Sequence, residues 1–98
     1  MTVYILGANA SEVEPFRAIK DNGLNINVEV VGVGATLAAI KTKDVITEHY
    51  KICDSIPSII FVGSCGSYDK YIEHLSVVIS THSSHIDAAT ALGTGYIP

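Results

Sequence analysis

Apolar residues in this chain arrive in short blocks broken by small and polar ones, and the spacing inside each block assigns it to a strand or a helix. Val3-Tyr4-Ile5-Leu6 is a continuous apolar run stopping at Gly7-Ala8-Asn9, the pattern of a buried strand that ends in a turn. Ser11-Glu12-Val13-Glu14 reads as a capping box, with Pro15 tolerated so early in a helix. This predicts a helix to about Lys20, with Val13, Phe16 and Ile19 inward and Asp21-Asn22-Gly23 ending it. Asn25 to Val33 alternates around Ile26, Val28 and Val30 as a second strand, and Gly32-Val33-Gly34 is the next turn. Ala35, Ala38, Ala39, Thr42 and Ile46 then fall at helical spacing, so a helix to about Tyr50 should lie close to its sheet. After Pro57, Ile59-Ile60-Phe61-Val62 has the unbroken apolar character of a central strand buried on both faces, and Gly63-Ser64-Cys65-Gly66 follows directly. Leu75 to Ser80 is predicted as a fourth strand, beyond which Ser, Thr, Ala and Gly dominate.

Strands alternating with helices predict an α/β fold, a three-layer sheet of about four strands with flanking helices. Ligands of such sheets gather at the carboxyl ends of the strands. The turns at Gly7-Ala8, Gly32-Val33-Gly34 and Gly63-Ser64-Cys65-Gly66 all lie at such ends, where glycines let backbone amides approach a ligand. Each turn taken singly is also a plain tight connection. Glu12 and Ser64 are expected to meet at this edge.

Composition narrows the partners. Ninety-eight residues hold one domain, or part of one, over 1–98. With 48% hydrophobic and 16% charged residues the chain is too apolar for intrinsic disorder. Ten acidic against six scattered basic residues leave a net charge of -4 and no footprint for a nucleic-acid backbone. No apolar run approaches the roughly 20 residues of a membrane span, and Met1-Thr2-Val3-Tyr4 lacks a basic flank, so a cytoplasmic protein without membrane contact is expected. Cys53 and Cys65 are read as reduced thiols packed as small hydrophobes, and His49 and His74 as surface residues. His82, His85 and Asp87 have no second ligand cluster to make a metal site, and Ser84-His85 with Asp87 cannot converge as a triad from extended chain.

Four motifs in order resemble those of the purine nucleoside phosphorylase/nucleosidase superfamily: Gly7-Ala8-Asn9-Ala10-Ser11-Glu12-Val13, Val31-Gly32-Val33-Gly34 with its Ala-rich helix, Ile60 to Ser67, and Val77-Val78-Ile79-Ser80 through Asp87-Ala88. The chain is most similar to methylthioadenosine/S-adenosylhomocysteine nucleosidases. The residues alone make Glu12 a first-turn carboxylate complementing helix amides. The resemblance makes Glu12 the catalytic base that orients and deprotonates the attacking water. It also implies that Asn9 contacts ribose and the nucleophile region, with a polar residue where the family usually has an apolar one. Ser64, Cys65 and Gly66 are implied as the turn beside ribose and nucleophile, and Leu92 as a contact to a neighbouring subunit. Asp87 matches a family His-Asp-Ala-Asp stretch in which Ile86 and Ala89 replace two polar partners here. Neither a metal nor a cofactor is implied.

Phosphorolysis needs cations for a dianion, and the family's phosphorylase branch places arginine where Phe61 and Asn9-Ala10 stand here. Water is therefore the expected nucleophile, although Gly63-Ser64-Cys65-Gly66 is worded more like a phosphorylase. By family standards the purine pocket, the ribose-binding glutamate and the acid that protonates the leaving base belong to a second half. The chain is thus expected to be the N-terminal half of a nucleoside phosphorylase-like fold, acting on a purine nucleoside such as methylthioadenosine once completed by a C-terminal half or a homo-oligomer. The alternatives are a purine nucleoside phosphorylase and a non-catalytic nucleoside-binding or assembly module. Dinucleotide binding is disfavoured, because Gly32-Val33-Gly34 lacks the third glycine and the later acidic residue.

Overall fold

In the computed structural model, which describes residues 1–84, 86 and 88–93, the first apolar run forms the middle of a parallel sheet. Strand β1 (Thr2–Gly7) is flanked by β2 (Asn25–Val30) and β3 (Ser58–Val62) in the order β2-β1-β3. Val3 stands opposite Ile26 on one side and Ser58 on the other, and Gly7 opposite Val30 and Val62. Successive side chains of a strand point to opposite faces. Val3 and Ile5 accordingly pack with Val13, Val28, Phe16, Ile26 and Val62 on one face, while Tyr4 and Leu6 pack with Val31, Ala38 and Val45 on the other. The fold is α/β.

The chain divides into two units, Met1–Gly66 and Ser67–Pro98. The first holds the sheet. In the second, the described residues form turns at Asp69–Ile72 and Glu73–Ser76 and a short helix, Ala88–Ala91.

The helix after β1 starts earlier and ends sooner than its sequence suggests. Helix α1 spans only Ala10–Val13, and Glu14–Ala18 continues it as a 3₁₀ turn. Pro15 has no N–H to give to the carbonyl of Ser11, so the α-helical ladder cannot pass it. The cap is Asn9, whose Oδ1 accepts from the Glu12 amide at 3.2 Å. Ser11 instead donates its hydroxyl to Asn9 Oδ1 at 2.6 Å, and Glu14 pairs with Arg17 at 2.9 Å, so the expected Ser11–Glu14 box does not form. Val13 and Phe16 do face inward, whereas Ile19 is exposed because the chain turns extended there.

Helix α2 (Ala35–Ile52) begins after Gly34, whose φ of +94° is a region L side chains rarely adopt. Its inward stripe is Ala38, Thr42, Val45, Ile46 and His49, while Ala35 and Ala39 face solvent. His49 is not a surface residue but is 1% exposed. Its burial is possible because both ring nitrogens are satisfied: Nε2 lies 2.7 Å from the carbonyl of Ser55, which can only accept, so Nδ1 takes the hydroxyl proton of Tyr4 at 2.9 Å. The Tyr4 and His49 rings also meet edge to face, with centroids 5.4 Å apart.

Burial, and secondarily the negative charges of Cys53 and Glu29, pushes the Tyr4 phenol above its ordinary value of 10.0. The folded chain thus holds this proton more tightly than the unfolded one. The resulting stability is complete below the unfolded value and is lost as pH rises through the folded one. Denaturant titrations at increasing alkaline pH should show stability falling once pH passes 10. Tyr4→Phe, weaker at neutral pH for want of its hydrogen bond, should fall less steeply.

Further expectations are corrected. Ile59 to Val62 is not a central strand: β3 pairs only with β1 among the described residues, and Ile60 and Phe61 are 50% and 62% exposed. Strand β2 stops at Val30 rather than Val33, since Val31 turns inward to bond Gly7 while Val30 and Val33 are exposed. Leu75–Ser80 has no strand neighbour among the described residues and is not a strand; Val77, Val78 and Ile79 are exposed and Leu75 has φ +66°. The described sheet has three strands rather than four. Neither cysteine is packed as a core hydrophobe: Cys65 is exposed and Cys53 half-buried, both free. Among the described residues no helix is long and apolar enough to cross a membrane.

Candidate functional site

The connection leaving β1 runs to β2 on one side, and α2 carries the chain back across to β3 on the other. The strand order therefore reverses between β1 and β3, and the crevice beyond their carboxyl ends is where an open parallel sheet offers a ligand its place. Two of the glycine turns, after Gly7 and at Gly63, close this crevice. A Cβ on Gly7 would overlap Val13 Cγ1 and touch the carbonyl of Val62 at 3.4 Å. Only glycine lets α1 sit this close to the strand ends.

That close seating delivers Glu12. As the third residue of α1, with its amide held by the Asn9 cap, Glu12 carries its half-buried side chain across to the end of β3. Its Oε2 accepts from the backbone N–H of Ser64 at 2.9 Å, and the Ser64 hydroxyl lies at 3.5 Å from the same oxygen. The short contact is the substantial one, a hydrogen bond to a charged acceptor. Oε1 accepts no hydrogen bond among the described residues and is free to take a proton from a bound molecule.

Glu12 and Ser64 are thus brought together, as the turn positions anticipated. Asn9 borders the pair through its cap: Oδ1 is committed to Glu12 and Ser11, and Nδ2 makes no hydrogen bond among the described residues. Cys65 and Gly66 continue the exposed turn without a hydrogen bond to Glu12, and a Cβ on Gly66 would meet open space. Leu92 is 81% exposed. Asp87 and His85 lie outside the described residues, and among the described residues no three His, Cys, Asp or Glu side chains gather as metal ligands. His82 Nδ1 is 2.9 Å from the neighbouring Thr81 hydroxyl.

Two hollows lie away from this pair. One of about 440 Å³ runs between β2 and α2, lined by Tyr4, Glu29, Lys41, Asp44 and Glu48, and one of about 260 Å³ lies beside Phe16 and Arg17. Neither is lined by Glu12 or Ser64. Cys53 is placed just before β3, at its amino end, where a hydrogen bond with the Ser55 hydroxyl at 2.9 Å draws the thiol below its ordinary range. That end of the strand is remote from the crevice.

Sequence reading missed the burial of His49. It was detectable: His49 follows Thr42 by seven residues and Val45 by four, on the inward stripe. Comparison with models of protein families, with curated proteins and with solved structures returned no match.

Proposed function

We propose that this chain is the nucleophile side of a purine nucleosidase, in which Glu12 draws a proton from a water molecule that attacks the N-glycosidic carbon of a nucleoside such as methylthioadenosine. The observation that carries the reading is the hydrogen bond from the Ser64 amide to Glu12 Oε2. It fixes one carboxylate oxygen and leaves the other without a hydrogen-bond partner among the described residues, an arrangement that suits a positioned base. Asn9 Nδ2 and the Ser64 hydroxyl are the groups beside it that would meet water or ribose.

Water is the favoured nucleophile over phosphate on electrostatic grounds. The single arginine, Arg17, is spent on Glu14 and on the carbonyl of Val28 at 3.2 Å, and the amide of the Gly63–Gly66 turn is already answered by a carboxylate. A dianion would meet negative charge there. The three-layer, nucleoside phosphorylase-like completion of the sheet is part of this proposal, as are the purine-side acid and the ribose clamp, which a complementary C-terminal half or a further copy would supply, with Leu92 in the contact. A second reading, a non-catalytic assembly module of the same fold, draws on the exposed Ile59, Ile60 and Phe61 of β3, whose outer edge has no strand neighbour among the described residues.

The isolated chain should release little or no purine from methylthioadenosine or inosine, because base and acid must act together. Mixed with a complementary half carrying the purine-side groups, it should become active, as followed by chromatography of the free base. Robust turnover by the chain alone, or none in any associated pair, would overturn the proposal.

A further inference from the structure

We infer that Gly63 is a positioning residue for the Glu12 carboxylate, present as glycine so that the carboxylate can lie across the backbone and reach the amide of Ser64. The inference rests on the reading of Glu12 as the base, and adds the element that aims it. A Cβ built on Gly63 would stand 3.3 Å from Glu12 Oε2 and 3.7 Å from Phe61 Cε1. Position 63 is thus a slot with the carboxylate on one wall and an aromatic ring edge on the other. The same oxygen, Oε2, accepts the hydrogen bond from the next residue along, Ser64, at 2.9 Å.

Steric room, not a special backbone conformation, is what this glycine supplies. Among the described residues Gly32, Gly34 and Gly93 are the glycines with positive φ, and Gly63 is not one of them, so alanine there carries no left-handed strain. Gly63 is exposed, so its methyl would displace no core atom. What a methyl meets first is the tip of a flexible side chain, which withdraws at small cost to the fold. Withdrawal by a few tenths of an ångström stretches the 2.9 Å bond toward the limit of useful hydrogen bonding and loosens the hydroxyl contact already at 3.5 Å. Gly63→Ala therefore separates aim from stability, and Gly63→Val, with more bulk in the same slot, should go further.

The test is a pH titration of the ¹⁵N-labelled chain by NMR, reading the Ser64 amide proton as Glu12 ionises. In the wild type this proton should shift with the Glu12 carboxyl, and in Glu12→Gln the shift should vanish. Gly63→Ala should reduce its amplitude by about twofold or more, given how steeply such bonds weaken with geometry, and Gly63→Val should reduce it further. The Val31 amide, which donates to the Gly7 carbonyl at 2.9 Å between the first two strands, is the internal control: its resonance must stay in place in each variant, showing the fold intact. An undiminished Ser64 titration in Gly63→Ala, or a wild-type Ser64 amide indifferent to Glu12, would overturn the positioning role. Neither outcome depends on turnover, whereas failure of the base assignment shows as purine release that survives Glu12→Gln in a complemented pair.

Discussion

Glu12→Gln should cut purine release by a complemented assembly roughly 10²–10⁴-fold, the range over which a positioned general base acts. The substitution keeps the length and shape of the side chain. The introduced amide would still present an oxygen to the Ser64 N–H now bonded at 2.9 Å, so the crevice keeps its form. What disappears is the capacity to accept a proton from water. Substrate binding should change little, so the loss belongs in kcat rather than KM. Equal loss in Ser64→Ala is not expected, because the main bond comes from the Ser64 backbone and the hydroxyl contact is marginal at 3.5 Å. Steady-state kinetics on the two variants and the wild type, each with the same partner half, decide the matter; full activity of Glu12→Gln would refute the assignment.

The second large effect concerns the fold. Leu6→Ala should destabilise the chain by about 2–5 kcal/mol, the cost of emptying a leucine site in a packed core. Leu6 is 2% exposed and packs with Tyr4, Val31, Ala38 and Val45 on the α2 face of the middle strand. Small domains are stable by only about 5–15 kcal/mol, so a substantial unfolded population should follow. Ile60→Ala, on the half-exposed edge strand, should cost much less than Leu6→Ala. Urea denaturation followed by circular dichroism compares the two; a larger loss for Ile60 would make β3 the core strand after all.

The contrast between these two strands was not legible in the residues. Val3-Tyr4-Ile5-Leu6 and Ile59-Ile60-Phe61-Val62 are equally apolar runs, and each is a strand. Which one occupies the middle depends on the side to which each crossover returns, a matter of chain path rather than of residue type. Leu75–Ser80 shows the complementary limit: β-branched residues favour extended chain, but a strand also needs a neighbour, and none of the described residues supplies one. At the amino end, Asn9 and Ser11 are nearly equal as caps, and Pro15 placed four residues beyond Ser11 settled how far the helix could run. The Glu12–Ser64 pair was legible because both residues follow turns at strand ends. Gly63 was not, since the value of a missing side chain emerges only once its neighbour's position is known.

The two halves of the carboxylate contact are 52 residues apart along the chain, and they meet only because the last strand of the sheet docks beside the first. Closing so long a loop costs more entropy than closing the shorter connection between β1 and β2, which favours docking of β3 after that pair. Assembly of the crevice is therefore expected late in folding. The strand that completes it is also the more exposed of the two strands beside β1, so its undocking is the expected local opening, one that would release Glu12 while leaving the β1–β2 pair in place. The Glu12 carboxylate is thus bonded to the turn that leaves the most exposed strand of the sheet, which ties its orientation to whatever seats that strand.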